Sequence, residues 1–323
     1  MKRWITQLKY DPLPILLSGI NKSINYFVKK EFLGQEINSV EFLWQLKTAE
    51  KILNSQQEDG SWRYPGGKED LRKQENYNQI ETFRQLGNLV EKFGFTIKHP
   101  AIQKSAEFLL SFQTEEGDIR GIYGNQYSPN YTAAILEILI KAGYIEDTRI
   151  DKSFKWLLSS RQDDGGWAIP IRTNNAKWDE VMNSEKTLQP NRSKPFSHMV
   201  TGVVLRAFAA HLKYQKSENA KNAGKLLASR FFKPDKYPDR RAVDYWTKVS
   251  FPFWFTDIIS SLDTLYYLGF KSDNPQIKEG LNELRNRQLE NGLWDLKLLR
   301  TKDKDLPYWV ALSVCRIFKN YFS

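Results

Sequence analysis

Leu158-Ser159-Ser160-Arg161-Gln162-Asp163-Asp164-Gly165-Gly166-Trp167 ends a helical pattern in a glycine turn and follows it at once with a tryptophan. Three further segments share the layout: Gln56-Gln57-Glu58-Asp59-Gly60-Ser61-Trp62, Gln113-Thr114-Glu115-Glu116-Gly117-Asp118-Ile119 and Gln288-Leu289-Glu290-Asn291-Gly292-Leu293-Trp294. Their glycines, Gly60, Gly117, Gly165 and Gly292, stand 57, 48 and 127 residues apart. The last interval fits two units, with an eroded copy that has lost its glycine expected at 226–235. Recurrence of this kind marks an array of supersecondary units, each unable to bury its apolar face alone.

Each motif follows an amphipathic stretch. Ala106, Leu109, Leu110 and Phe112 lead into the second, Phe154, Leu157 and Leu158 into the third, and Leu281 and Leu284 into the fourth. A helix commonly stops at a residue with positive φ, where glycine meets no Cβ penalty, so these glycines are expected as helix stops. The acids beside them, Glu58-Asp59 and Asp163-Asp164, fit turn residues that bond their own backbone, not paired catalytic carboxylates. Between the motifs lie more continuously apolar stretches, roughly 79–95, 131–144, 197–214, 253–270 and 307–322, and helices apolar nearly all round are buried on both sides. The unit is therefore an outer amphipathic helix, a glycine turn and an inner buried helix.

Pro12 and Pro14 set a helix start, and 20–32 supplies a further helix. Two long insertions, 63–76 and 168–195, have the length of functional lids or disordered segments. No Pro/Ser linker divides the chain, so 1–323 reads as a single domain. In it, residues 1–36 complete a ring begun by the repeats of 39–322.

The 323 residues carry 41% hydrophobic and 27% charged side chains, enough for both a core and a solvated surface. The single cysteine, Cys315, excludes an internal disulfide framework and reads as a core thiol. No run approaches a spanning helix and no secretion signal opens the chain, so a cytoplasmic protein is expected, with peripheral membrane contact its nearest approach to a bilayer. The net charge of +10 suits anionic partners. The basic residues look scattered and match no nucleic-acid-binding motif, so no nucleic acid partner is expected.

Glutamine, three residues, glycine, one residue, tryptophan, set between alternating helices, resembles the prenyltransferase and squalene oxidase repeat of terpenoid cyclases and protein prenyltransferases. The full spacing holds from Gln56 to Trp62 and from Gln288 to Trp294, Gln162 falls one place late, and Ile119 replaces the tryptophan of the second copy. The resemblance implies an all-α fold, an α/α toroid of about five to six helical hairpins around an apolar cavity. Its chemistry transfers less readily. The Asp-x-Asp-Asp acid motif of class II terpene cyclases is missing from the inner-helix starts, and the zinc ligands of protein prenyltransferases have no counterpart around Cys315. No metal and no cofactor are expected.

Polar groups on otherwise apolar helices are the informative exceptions. Asp257, Ser261 and Thr264 fall at i, i+4 and i+7, as do Glu81, Gln85 and Asn88 with Arg84 alongside; His198, Gly202 and Arg206 mark a third, less tidy helix. On one reading Asp257 or Glu81 is a general acid kept protonated by burial, Trp254, Trp246, Tyr245 and Trp309 stabilise carbocations, and Arg206 and Arg84, with His198 near, bind substrate. On the other the charges are internal braces, Glu81 to Arg84 and Asp257 to Arg206. The cluster at 231–254 and the 168–195 insertion are the expected ligand mouth. The functional expectation is a terpene cyclase- or prenyltransferase-like protein holding an isoprenoid or other apolar lipid. A non-catalytic lipid-binding or protein-interaction scaffold is the alternative, and a carbohydrate-active toroid ranks last.

Overall fold

The computed structural model describes residues 3–19, 21–66, 76–182, 184–299 and 302–323. Helices run in chain order as α1 (Leu13–Ser18), α2 (Lys22–Val28), α3 (Lys47–Leu53), α4 (Tyr77–Phe93), α5 (Pro100–Leu110), α6 (Pro129–Lys141) and α7 (Thr148–Ser159). They continue as α8 (Pro170–Thr173), α9 (Trp178–Met182), α10 (His198–Ala210), α11 (Glu218–Ala228), α12 (Ile258–Tyr267), α13 (Pro275–Asn286) and α14 (Leu306–Phe322). Two two-residue strands, β1 (Lys248–Val249) and β2 (Lys297–Leu298), pair in parallel. The class is all-α. The chain forms two compact units, Val40–His211 and Met1–Ser39 with Leu212–Ser323.

The glycine motifs repeat in bonding as well as in sequence. Gly60, Gly117, Gly165 and Gly292 all take positive φ, between 85° and 106°. In each tryptophan-bearing copy the indole N–H donates to a carbonyl of the preceding helix ten residues back: Trp62 to Ile52, Trp167 to Leu157 and Trp294 to Leu284, at 2.7–2.8 Å. Inner-helix threonines take the backbone N–H at the same place, Thr82 from Trp62, Thr132 from Ile119 and Thr201 from Trp167. The motif is thus a three-way staple of outer helix, turn and inner helix, and the acids inside it serve the turn: Asp59 accepts from Ser61 N and Asp164 from Gly166 N.

The motif glutamine reaches onward. Gln56 Nε2 donates to Ala101 O on α5 and Gln113 Nε2 to Arg149 O on α7. Gln288 Nε2 donates to Tyr10 O while its Oε1 accepts from Lys9 N and Tyr10 N, so the last motif grips the start of the chain. Gln162, one place late, occupies the turn position of Gln57 and Thr114, bonded to Gly165 N and Gly166 O as they are to their own turns. Its amide holds Asn191 O and Lys194 O of the insertion. At 226–235 α11 stops at Ala228 without a glycine, and Phe232 takes a positive φ of 55°.

Of the two insertions, 67–75 lies outside the described residues, as does 183 in the second. The described part of 168–195 is ordered, with α8 and α9 inside it. The expected helix over 253–270 begins later, at Ile258. Asp257 is extended (φ −135°, ψ 176°) and caps the helix from outside. An aspartate preceding a helix-compatible run is a favoured N-cap, so the apparent stripe with Ser261 and Thr264 does not extend back to it.

Candidate functional site

In the Val40–His211 unit the inner helices are α4, α6 and α10. Buried Glu81 on α4 accepts from Arg84 Nη1 at 3.3 Å and from Gln85 Nε2 at 2.6 Å, the brace and stripe that the spacing predicts. Arg206 on α10 is buried, and its Nε donates to Glu137 Oε2 on α6 at 2.8 Å. Glu137 Oε1 accepts from Lys141 Nζ at 2.8 Å, and the same ammonium meets Glu91 of α4 at 2.5 Å. Burial pushes the Glu137 carboxyl up, but the charges of Arg206 and Lys141 outweigh it and hold it below the usual carboxylate range. Three inner helices are thereby joined by one ionic chain. His198 is the buried first residue of α10, directly after the Ser197 cap.

Aromatic rings gather at the N-terminal ends of α4 and α6. Tyr64 and Tyr77 lie 4.9 Å apart, with the Arg84 guanidinium 5.9 Å over Tyr64. Tyr123 meets Tyr131 edge-on at 5.2 Å and Trp178 of α9 at 4.8 Å, and Arg172 stacks over Trp178 at 5.3 Å. The two groups are tied through backbone, Asn76 N to Gly121 O at 2.8 Å, and through Gln79 Nε2 to Arg120 O at 2.7 Å. All five rings are half-buried. Sequence periodicity does not single them out, because they lie in connectors and first turns.

The insertion is strapped beside these rings by polar bonds. Gln126, almost fully buried, donates to Val181 O and Lys186 O and accepts from Leu188 N. Asn125 donates to Glu185 O, Arg120 to Thr187 Oγ1, and Gln189 to the Tyr127 hydroxyl.

The other predicted residues belong to the second unit. Asp257 Oδ1 accepts from Ser260 N at 2.9 Å and Asp257 N donates to Ser260 Oγ at 3.0 Å, a reciprocal capping box. Trp246 is buried, packs edge-on against Phe231 at 5.2 Å and donates its indole N–H to Lys233 O. Trp309 is buried and stacks flat on Phe251 at 5.2 Å. Tyr245 is half-buried, with Lys248 Nζ 4.0 Å and Arg240 Cζ 5.9 Å over its ring. Trp254 is half-buried in the connector before α12, its backbone N–H donating to Ser250 Oγ. Trp246 and Trp309 are therefore packing groups, and the face of Tyr245 already carries protein cations. Cys315 is fully buried, and burial pushes its thiol up, as expected of a core thiol. Among the described residues no group of three His, Cys, Asp or Glu is placed to hold a metal ion, and no helix is long and apolar enough to cross a membrane.

Residues 76–189 match the family described as squalene-hopene cyclase C-terminal domain. The resemblance to terpenoid cyclases carried by the glycine motifs is met over that segment, which spans α4 through α9. No curated protein matches. Among solved structures, a protein from Actinoplanes is 12% identical, with 87% of each chain covered and a TM-score of 0.43. A variant of the type II terpene cyclase MstE from Scytonema, in complex with its substrate geranylgeranyl dihydroxybenzoate, is 10% identical over 87% of this chain and 84% of that one, TM-score 0.44. A polysaccharide lyase is 14% identical over 96% and 98%, TM-score 0.42. Identities of this size say nothing about chemistry.

Proposed function

We propose that the protein is terpene cyclase-like and binds an isoprenoid or other apolar lipid chain against the rings at the N-terminal ends of α4 and α6. The observation that carries this is an overlap: the matched segment 76–189 holds four of the five half-buried rings, Tyr77, Tyr123, Tyr131 and Trp178. Aromatic faces suit an unsaturated hydrocarbon and any positive charge developed along it. Arg84 and Arg172 beside the rings suit a phosphorylated or carboxylated head. His198 and Arg206 are the further candidate binding groups on α10. A single toroid of residues 1–323 and a cytoplasmic location belong to the same proposal.

Asp257 is the candidate general acid and Glu81 the second. The test incubates the protein with linear prenyl substrates, reads products by mass spectrometry and weighs retained lipid by native mass spectrometry. Lipid retained by the wild type and lost in Tyr123→Ala and Trp178→Ala supports the ring site. Turnover lost in Asp257→Asn with folding intact supports the acid. Neither lipid nor turnover in the wild type rejects both.

The alternative, a non-catalytic lipid-binding or interaction scaffold, draws support from one observation. Each candidate carboxylate already has a structural task, Asp257 in its capping box and Glu81 with Arg84 and Gln85. Retained lipid without turnover is its signature.

A further inference from the structure

The tie between the two ring groups runs through one fully buried side chain. Gln79, in the first turn of α4, donates its Nε2 to Arg120 O at 2.7 Å. Among the described residues nothing donates to its Oε1, which is buried as well. Leaving a buried amide oxygen unpaired costs stability, and an apolar side chain of similar length would avoid that cost. What the amide adds is direction, since it fixes one carbonyl of the 120–124 segment against α4.

The segment it holds has little freedom. Gly121 and Gly124 bond to each other in both directions, at 3.0 and 3.1 Å, and both sit at positive φ, 109° and 55°. Glycine takes such angles without a Cβ clash. A Cβ on Gly121 would overlap Gln79 Oε1, so the turn backbone rests directly on the glutamine. Tyr123 lies inside this turn, and its ring meets both Tyr131 and Trp178. Tyr77 stands two residues before Gln79, and Asn76 N donates to Gly121 O at 2.8 Å. Tyr64 with Tyr77 on one side, and Tyr123 with Tyr131 and Trp178 on the other, are thereby held at one separation.

Two ring groups at a fixed separation act as one site only for a ligand that reaches both, and that ligand gains both contacts together. We infer that Gln79 is the positioning residue that sets this separation, and that the site selects a linear hydrocarbon long enough to lie across both ring groups. The inference rests on the lipid reading above and adds a length requirement to it. Gln79 acts through Tyr123 and need not touch the ligand itself.

The test titrates the full chain with geraniol and with geranylgeraniol and reads binding by native mass spectrometry. These alcohols share an uncharged head, so the ratio of their affinities reports chain length. The longer chain binds more tightly on apolar area alone, and the decisive quantity is therefore the change in that ratio. Gln79→Met keeps bulk beneath Gly121 but removes the bond to Arg120 O, and Gln79→Ala removes both. In each variant geranylgeraniol should bind about three- to tenfold more weakly, the worth of one aromatic contact, while geraniol binds as before. Within one variant both alcohols meet the same folded fraction, so lost stability leaves the ratio unchanged. A purely structural Gln79 would weaken both alcohols equally. Wild type holding both, with the same ratio in Gln79→Met and Gln79→Ala, would overturn the inference and leave the lipid reading standing. Wild type holding neither would overturn the two together.

Discussion

Arg206 Nε lies 2.8 Å from Glu137 Oε2, and the two side chains are only 4% and 6% exposed. A buried ion pair contributes little net stability over an apolar pair, but removing one partner strands the other charge. Glu137→Ala should therefore cost about 3–5 kcal/mol in urea unfolding. The pH dependence has a definite sign. Because the folded carboxyl is held below its unfolded range, its contribution is complete above the unfolded pKa and is lost as pH falls through the folded one. Glu137→Gln should flatten the acid side of the stability profile; an unchanged slope would remove Glu137 from the account.

Gly60 and Gly165 share a positive φ but not a neighbourhood. A Cβ on Gly60 would lie 2.3 Å from Lys104 O, whereas one on Gly165 meets nothing within 4 Å. Gly165→Ala should cost only the conformational penalty, about 1–2 kcal/mol. Gly60→Ala must also move the α5 backbone, so its melting temperature should fall further. Equal losses at the two sites would refute close packing of the first motif on α5.

Gln126 makes three bonds to the insertion from a buried position. Such bonds contribute about 1 kcal/mol each, and they are a large part of the polar strap on the insertion. Gln126→Ala should loosen the segment, so that trypsin cuts after the already exposed Lys177 and Lys186 well before the rest of the chain. Peptide mapping showing wild-type cleavage order would mean the insertion is held by other contacts.

What the sequence made legible follows from periodicity and backbone chemistry. The glycine spacing set the staples, the turn role of Asp59 and Asp164 and a helix stop at 226–235, where α11 ends at Ala228. The Glu81–Arg84 brace was legible because i and i+3 share a helix face. Glu137 was not, since an isolated acid in the apolar run of α6 acquires meaning only when α10 brings Arg206 against it. Tyr123 and Trp178 stayed hidden for the same reason: their contact depends on the course of an insertion that no period describes. Asp257 was placed on a helix because apolar spacing continues through 253–257, while its capping bond fixes the true start at Ile258.

Asp257 can be separated into structural and chemical roles. Asparagine caps a helix about as well as aspartate, so Asp257→Asn should melt near wild type, whereas Asp257→Ala should lose about 1–2 kcal/mol. Ser260→Ala breaks the return bond of the capping box and should cost less than Asp257→Ala. Turnover that survives Asp257→Asn but falls in Ser260→Ala would assign the site to folding and not to acid catalysis.

His99 gives the helix α5 its N-cap through Nδ1, which accepts from Ala101 N at 3.2 Å and is therefore unprotonated. The ring is packed edge-on against Trp44 and Phe95, and burial lowers its pKa. Protonation is thus easier in the unfolded chain than in the folded one. The cap's contribution is full above the unfolded histidine pKa, near 6.5, and is lost as pH falls through the lower folded value. His99→Asn keeps a capping oxygen without a titrating ring. Urea midpoints of the wild type should therefore drop between neutral and mildly acidic pH, and those of His99→Asn should drop less across the same interval. Parallel pH profiles for the two proteins would show that His99 does not titrate with folding.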